Sequence, residues 1–232
     1  YQVTEGAKSV EVPNYYTGEM LTIPLDETLS PLDNAKKYFA RYNKLKRTFE
    51  ALNTQTEETK AEIAHLQTIQ ASLAIAESED DLAQIRDELE TYGYIRRKMS
   101  GKKKQKSKSK PFHYRSSDGF DIYVGKNNFQ NDELTFKVAN GNDWWFHAKG
   151  MPGSHVIVKT EGRELPDRTF EEAGRLAGYY SSGRDNEKIE IDYLQRKNVK
   201  KPNGAVAGYV IYYTNYSLTI HPDISGIEKI SE

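Results

Sequence analysis

Cysteine is absent from this 232-residue chain, so disulfides, thiolate metal sites and cysteine nucleophiles are excluded. That absence fits a reducing cytoplasm. No apolar run approaches the roughly 20 residues needed to cross a bilayer, and no membrane insertion is expected. Mean hydropathy is -0.80 and 29% of residues are charged, as in a soluble protein. The chain starts at Tyr1 with no initiator Met and no signal peptide, and is expected to be a piece of a longer protein. There is no internal repeat and no glycine-rich phosphate loop. No His or acid cluster stands at a diagnostic metal spacing. No cofactor and no catalysis are therefore expected.

The net charge of -1 hides an asymmetry. Residues 1–95 carry 9 Lys+Arg against 17 Asp+Glu, and residues 96–232 carry 24 against 17. An acidic N-terminal part is joined to a basic C-terminal one, which suggests that the latter meets polyanions and the former something else.

Residues 1–29 read as irregular, with no complete core, the remnant of a preceding region. Ser30-Pro31 opens a helix, because Ser caps and Pro is tolerated at the first helical position. After Pro31 neither Gly nor Pro occurs up to Ala76. Heptad rows run through Tyr42, Phe49, Thr56, Ile63 and Gln70, and through Leu45, Leu52, Thr59, Leu66 and Leu73. Ser78-Glu79-Asp80-Asp81 starts a second, shorter helix, with Leu82, Ile85, Leu89 and Tyr92 continuing the apolar spacing. The expectation is an antiparallel coiled-coil hairpin over residues 30–95. Its acidic tip, Glu77, Glu79, Asp80 and Asp81, would be a protein-docking element.

Residues 96–110 form a basic linker in which nine of fifteen positions are Lys or Arg, among them Lys102, Lys103, Lys104 and Lys106. Such a run repels itself until it meets an anion, and otherwise is a solvated linker. Residues 111–224 form the body and 225–232 a tail. Strands are expected at Phe112–Arg115, Asp121–Val124, Trp144–Ala148, His155–Lys159, Lys188–Tyr193, Tyr209–Tyr213 and Ser217–Ile220. Helices are expected at Asn128–Val138 and Thr169–Tyr180. The fold class is α+β: the helical hairpin, then a mixed, mostly antiparallel sheet domain with two helices.

The segment Trp144–Lys159, WWFHAKGMPGSHVIVK, carries most of the functional information. Pro152-Gly153 supplies turn chemistry between two short strands. Rings and cations interleaved on strands suit nucleic acid, where rings stack on bases and cations meet phosphates; a well-packed hairpin is the alternative. Trp144 and Trp145 are adjacent, so they face opposite sides of a strand. Trp145 is placed with the contacting set, together with Lys149, Arg175, Lys197, Lys200 and Lys201. Arg163 and Arg168 are possible additions to the same cationic face. His147 and His155 flank the turn. A structural role, bonded to backbone, is the stronger reading for both, and both also stand among the candidate RNA contacts.

These residues resemble a known family. Ile23–Lys46, Pro111–Val158, RTFEEAGRLAGYYSSGR and KKPNGAVAGYVIYYTNYSLTI are similar in wording and order to the middle coiled coil and C-terminal RNA-binding domain of the NFACT (fibronectin-binding protein A-like) family. The resemblance implies a ribosome-associated quality-control factor that contacts tRNA or large-subunit rRNA. Such a factor engages stalled large ribosomal subunits and serves C-terminal alanine tailing. It also implies a longer parent with an N-terminal domain bearing an Asp-Arg motif; Arg184-Asp185 has the reverse order and lies elsewhere. Fibronectin is a second partner implied by the same family, as an adhesin at the cell surface. An intramolecular hairpin predicts a monomer.

Overall fold

The computed structural model describes residues 3–96 and 109–230. Its contacts divide the chain into two units, Tyr1–Ala61 and Glu62–Glu232.

In the first unit, β1 (Ser9–Pro13) and β2 (Met20–Pro24) form an antiparallel hairpin, with Val10 opposite Ile23. Residues 9–24 are therefore not irregular. Two short apolar runs pair across a turn whose Gly18 has φ 73°, and Gly18 N–H closes it on Asn14 O at 2.8 Å. The helix α1 (Pro31–Ala74) starts at the expected cap, where Asp33 N–H donates to Ser30 Oγ at 3.1 Å. Its heptad rows are uncovered: Tyr42, Leu45, Phe49 and Leu52 are all more than half exposed.

The second unit holds the end of α1 and α2 (Glu79–Thr91). Ser78 and Asp81 form the capping box that the sequence suggests. The two helices meet at only part of the expected seam, through Ile85 and through Tyr92 against His65. Leu66, Leu73 and Leu82 are exposed, whereas His65, Ile69, Ser72, Ile75, Asp81, Ile85 and Glu88 are buried. Thirteen residues of α2 cover only the last turns of α1, and polar side chains make much of the contact.

The seven-stranded sheet follows the order β8-β7-β5-β6-β4-β3-β9, with every neighbouring pair antiparallel. Its strands are β3 (Phe112–Arg115), β4 (Asp121–Val124), β5 (Trp144–Ala148), β6 (Val156–Val158), β7 (Ile189–Gln195), β8 (Tyr216–Ile220) and β9 (Glu228–Lys229). On one face lies α4 (Asp167–Tyr179), burying Ala173, Leu176 and Ala177 against Phe146, Val156, Val158 and Ile191. Gly174 and Gly178 let this helix come close to β8: a Cβ at Gly178 would lie 2.6 Å from Ile220 Cδ1. On the other face, Trp145, Ile157 and Leu194 pack with Leu134 and Val199.

That second face is covered by α3 (Asn128–Glu133), its π-helical continuation Leu134–Val138, and the segment around Val199–Tyr212. Tyr209–Tyr213 is not a strand; it touches Lys200 through one isolated bridge at Ile211 and lies over the sheet instead of extending it. Tyr212 fastens it by donating its hydroxyl to Asp192 at 2.9 Å. Among the described residues, no helix is long and apolar enough to cross a membrane.

Candidate nucleic-acid interface

The alternation along β5 sends Trp145 inward and leaves Trp144 half-buried on the α4 side. Trp145 is fully buried, so it cannot stack on RNA, and its place among the contacting residues is corrected. Its ring lies 5.1 Å from His155 and 5.3 Å from Tyr212, and its indole N–H is buried with no hydrogen-bond partner among the described residues.

His155 is buried too and is likewise withdrawn from the contacting set. Its Nδ1 lies 2.8 Å from Thr135 Oγ1, and its backbone N–H donates to Asn131 Oδ1 at 3.0 Å. Burial holds its imidazole well below the ordinary value, with His147 adding to the effect. Burial also lowers His147, whose half-buried ring lies 5.5 Å from that of His155. Both rings are thus held neutral and bring no charge to a phosphate. For His155, the structural reading is the one the contacts support.

The candidate cations are dispersed. Lys149 pairs with Glu190 at 2.6 Å. Arg175 spends its guanidinium on the backbone carbonyls of Asp223 and Ser225, and Lys201 pairs with Asp132. Arg163 lies over the Phe120 ring at 3.9 Å, and Arg168 pairs with Glu172 at 3.5 Å. Lys197 and Lys200 are exposed and have no ion pair among the described residues. Lys102, Lys103, Lys104 and Lys106 lie outside the described residues.

The acidic turn is not a free tip. Asp81 is buried in the cap, where its Oδ2 accepts from the backbone N–H groups of Glu77 and Ser78 at 2.9 and 3.0 Å. Burial alone pushes its carboxyl up, but the Ser109 hydroxyl, the Glu77 N–H and Lys126 outweigh that and hold it below the usual range. Glu77 pairs with Lys229 of β9 at 3.0 Å. Glu79 and Asp80 remain exposed. The turn therefore lies against the sheet domain, because its carboxylates find lysines there.

The arrangement that the sequence did not bring out is an aromatic row on the α4 side of the sheet. Phe146, Tyr193 and Tyr216 are cross-strand neighbours on β5, β7 and β8. Their rings stack in turn, with centroids 5.5 Å apart and planes inclined by 15° and then 29°. Trp144 stands alongside, 5.8 Å from Tyr193 and 6.4 Å from Tyr216, and Phe170 in the first turns of α4 meets it edge-on at 4.8 Å. Exposure rises along the row, from Phe146 at 0% to Tyr216 at 64%. The available signal was parity: Trp144 shares the side of Phe146, and Tyr193 shares that of Ile189 and Ile191.

A model of the NFACT N-terminal and middle domains matches residues 1–108, and one of the NFACT protein RNA binding domain matches residues 110–212. The Rqc2 homolog RqcH of Streptococcus suis (strain 05ZYH33) is 40% identical over 231 residues, covering 99% of this chain and 41% of that protein. The Rqc2 homolog RqcH of Bacillus subtilis (strain 168) is 37% identical over 236 residues, covering 100% of this chain and 41% of that protein. The chain thus spans about two fifths of the length of these curated relatives. The solved C-terminal part of the fibronectin/fibrinogen-binding protein from Streptococcus suis superimposes with a TM-score of 0.78 at 38% identity, over 88% of this chain and 82% of that one.

Proposed function

The chain belongs to the NFACT family, and we propose that it binds RNA in ribosome-associated quality control in the cytoplasm. In this reading it engages large ribosomal subunits that carry stalled nascent chains, through rRNA or tRNA, and so serves C-terminal alanine tailing. One observation carries the reading. The matched RNA-binding segment, residues 110–212, covers five of the seven strands of the sheet domain, in the part of the chain that has the cationic excess. Contacts are mainly to phosphate and to nucleic-acid shape, with the basic run 96–110 as the largest single source of charge. The long helix, with its uncovered apolar rows, is the protein-facing part.

The test is binding of the chain to 50S subunits and to tRNA across a salt series. Replacing Lys102, Lys103 and Lys104 by Ala removes up to three phosphate contacts and should lower the slope of log K against log salt by about two. An unchanged slope would take the basic run out of the interface. Fibronectin enters through the name of the structural neighbour. If it binds the same cationic face, RNA displaces it; if it binds elsewhere, RNA has no effect.

A further inference from the structure

We infer that the aromatic row at the β5–β7–β8 end of the sheet is a stacking platform for unpaired nucleotides, with Trp144 and Tyr216 as its two outer rings. The inference rests on the RNA-binding reading and sharpens it from a charged face to one group of side chains.

The helix α4 packs on this face as far as Leu218 and Ile220 of β8 but leaves the Tyr216 end of that strand open. Phe170 meets the rings of Trp144 and Tyr193, which are half-buried, while Tyr216 is 64% exposed. A purely structural cluster would bury its large rings, as the opposite face does with Trp145. Here the stack starts in the core at Phe146, passes through Tyr193 and ends at Tyr216, whose outer edge meets solvent. Rings held in this way by the strands on which they sit are pre-ordered, so a base landing on them meets little further ordering cost.

The occupant is set by chemistry available at this end of the sheet. Lys197 follows two residues after Gln195, the cross-strand partner of Trp144, and its backbone N–H is fixed to Gly141 O at 3.0 Å. Lys200, three residues further on, belongs to the segment that covers the opposite face. Lys197 is exposed and has no ion pair among the described residues, so rings for bases and a charge for phosphate lie on neighbouring segments. In a duplex the base faces are already occupied by stacking within the helix, whereas an unpaired strand offers them to aromatic side chains. Unpaired RNA is therefore the partner that uses both features. The matched RNA-binding segment includes Trp144, Phe170, Tyr193 and Lys197.

The two tryptophans make the test clean. Trp145 is fully buried, so a change in tryptophan emission on adding RNA reports on Trp144. Unstructured single-stranded oligonucleotides should quench that emission, and the quench should vanish in Trp144→Phe. Tyr216→Ala should weaken single-strand binding by roughly five- to a hundredfold, the range for losing one stacked base, while duplex RNA of equal length binds as before. Tyr213→Ala, an 82% exposed tyrosine outside the row, should bind like the unaltered chain and controls for folding. If Tyr216→Ala and Trp144→Phe bind both RNA forms unchanged and quenching persists, the platform is overturned and the general RNA reading stands. If the unaltered chain binds neither form at low salt, both fall together. A mass of twice 26.5 kDa that returns to the single value in Tyr216→Ala would assign the row to self-association and overturn the inference.

Discussion

Glu88 and His155 occupy comparable positions in the Glu62–Glu232 unit, each a titratable side chain taken out of water where one layer meets another. At the α1–α2–α3 contact, Glu88 Oε1 accepts from Asn128 Nδ2 at 2.7 Å and lies 3.0 Å from His65 Nε2, while its Oε2 has no partner among the described residues. Burial pushes this carboxyl above its ordinary 4.5, against the pull of Asn128 and His65. Under Trp145, burial drives His155 well below its ordinary 6.5. The two sites therefore answer protons in opposite senses. A carboxyl that binds its proton more tightly when folded adds stability below pH 4.5 and loses it as pH rises through the folded value. An imidazole that resists its proton when folded adds stability above pH 6.5 and loses it as pH falls toward the folded value. The helices meet the sheet domain through polar contacts around Asp81 and Glu88, with Ile75 entering the apolar core, while the sheet itself is held mainly by apolar packing in which His155 and Asp192 are among the buried polar side chains.

The largest effect expected from breaking this comparison is at Glu88. Glu88→Ala removes the acceptor that serves Asn128 and faces His65 and leaves space behind it, so the cost should be about 3–5 kcal/mol in denaturant unfolding. Glu88→Gln keeps the volume and one acceptor and should cost clearly less. Equal losses for the two substitutions would mean that the carboxyl itself, and not side-chain volume, matters at this position.

The next effect is a slope. Between pH 6.5 and the depressed folded value, unfolding takes up a proton at His155, so stability should fall by about 1.4 kcal/mol for each pH unit of acidification. His147, also lowered by burial, acts in the same direction. His155→Gln removes one of these titrations and should flatten the profile. Glu88 opposes the slope from pH 4.5 upward, so Glu88→Gln should leave the acid side rising more steeply with pH. Unfolding midpoints measured from pH 4.5 to 7.5 on the three chains would show it, and parallel profiles would mean that neither group titrates on unfolding.

How much of this could be read beforehand differs between the two regions. The strands Phe112–Arg115, Asp121–Val124 and Trp144–Ala148 form at the residues that alternation and turn chemistry mark, because their pairing is largely local. The opposite orientation of Trp144 and Trp145 was also legible. Which of them would be buried was not, since that depends on the covering layer, and the segment over Trp145 is built from residues 199–212, distant in sequence. The aromatic row was missed for the same reason: Phe146, Tyr193 and Tyr216 come together only through strand register. In the helices, the apolar rows suggested a seam, but a seam needs a partner of matching length, and α2 has 13 residues. The contacts of Asp81 and Glu88 could not be read, because their partners Ser109, Lys126 and Asn128 lie 28 to 45 positions away in the chain.

The smallest effect distinguishes the apolar rows from the contact actually made. Leu73, Leu82 and Ile85 all belong to the expected apolar spacing, yet the leucines are 54% and 48% exposed, whereas Ile85 is 4% exposed one turn beyond Leu82. Truncating a half-exposed leucine removes little buried area, so Leu73→Ala and Leu82→Ala should each change stability by no more than about 0.5 kcal/mol. Ile85→Ala, made in the same helix, should cost about 2–5 kcal/mol because it opens a cavity against packed neighbours. The pairing of the two values matters more than either alone. If the leucines cost as much as Ile85, a further surface covers the rows in solution, and the helices are joined by an apolar seam after all. If they cost nothing, the joint between the helices and the sheet domain depends on Ile85 and on the polar side chains around Glu88.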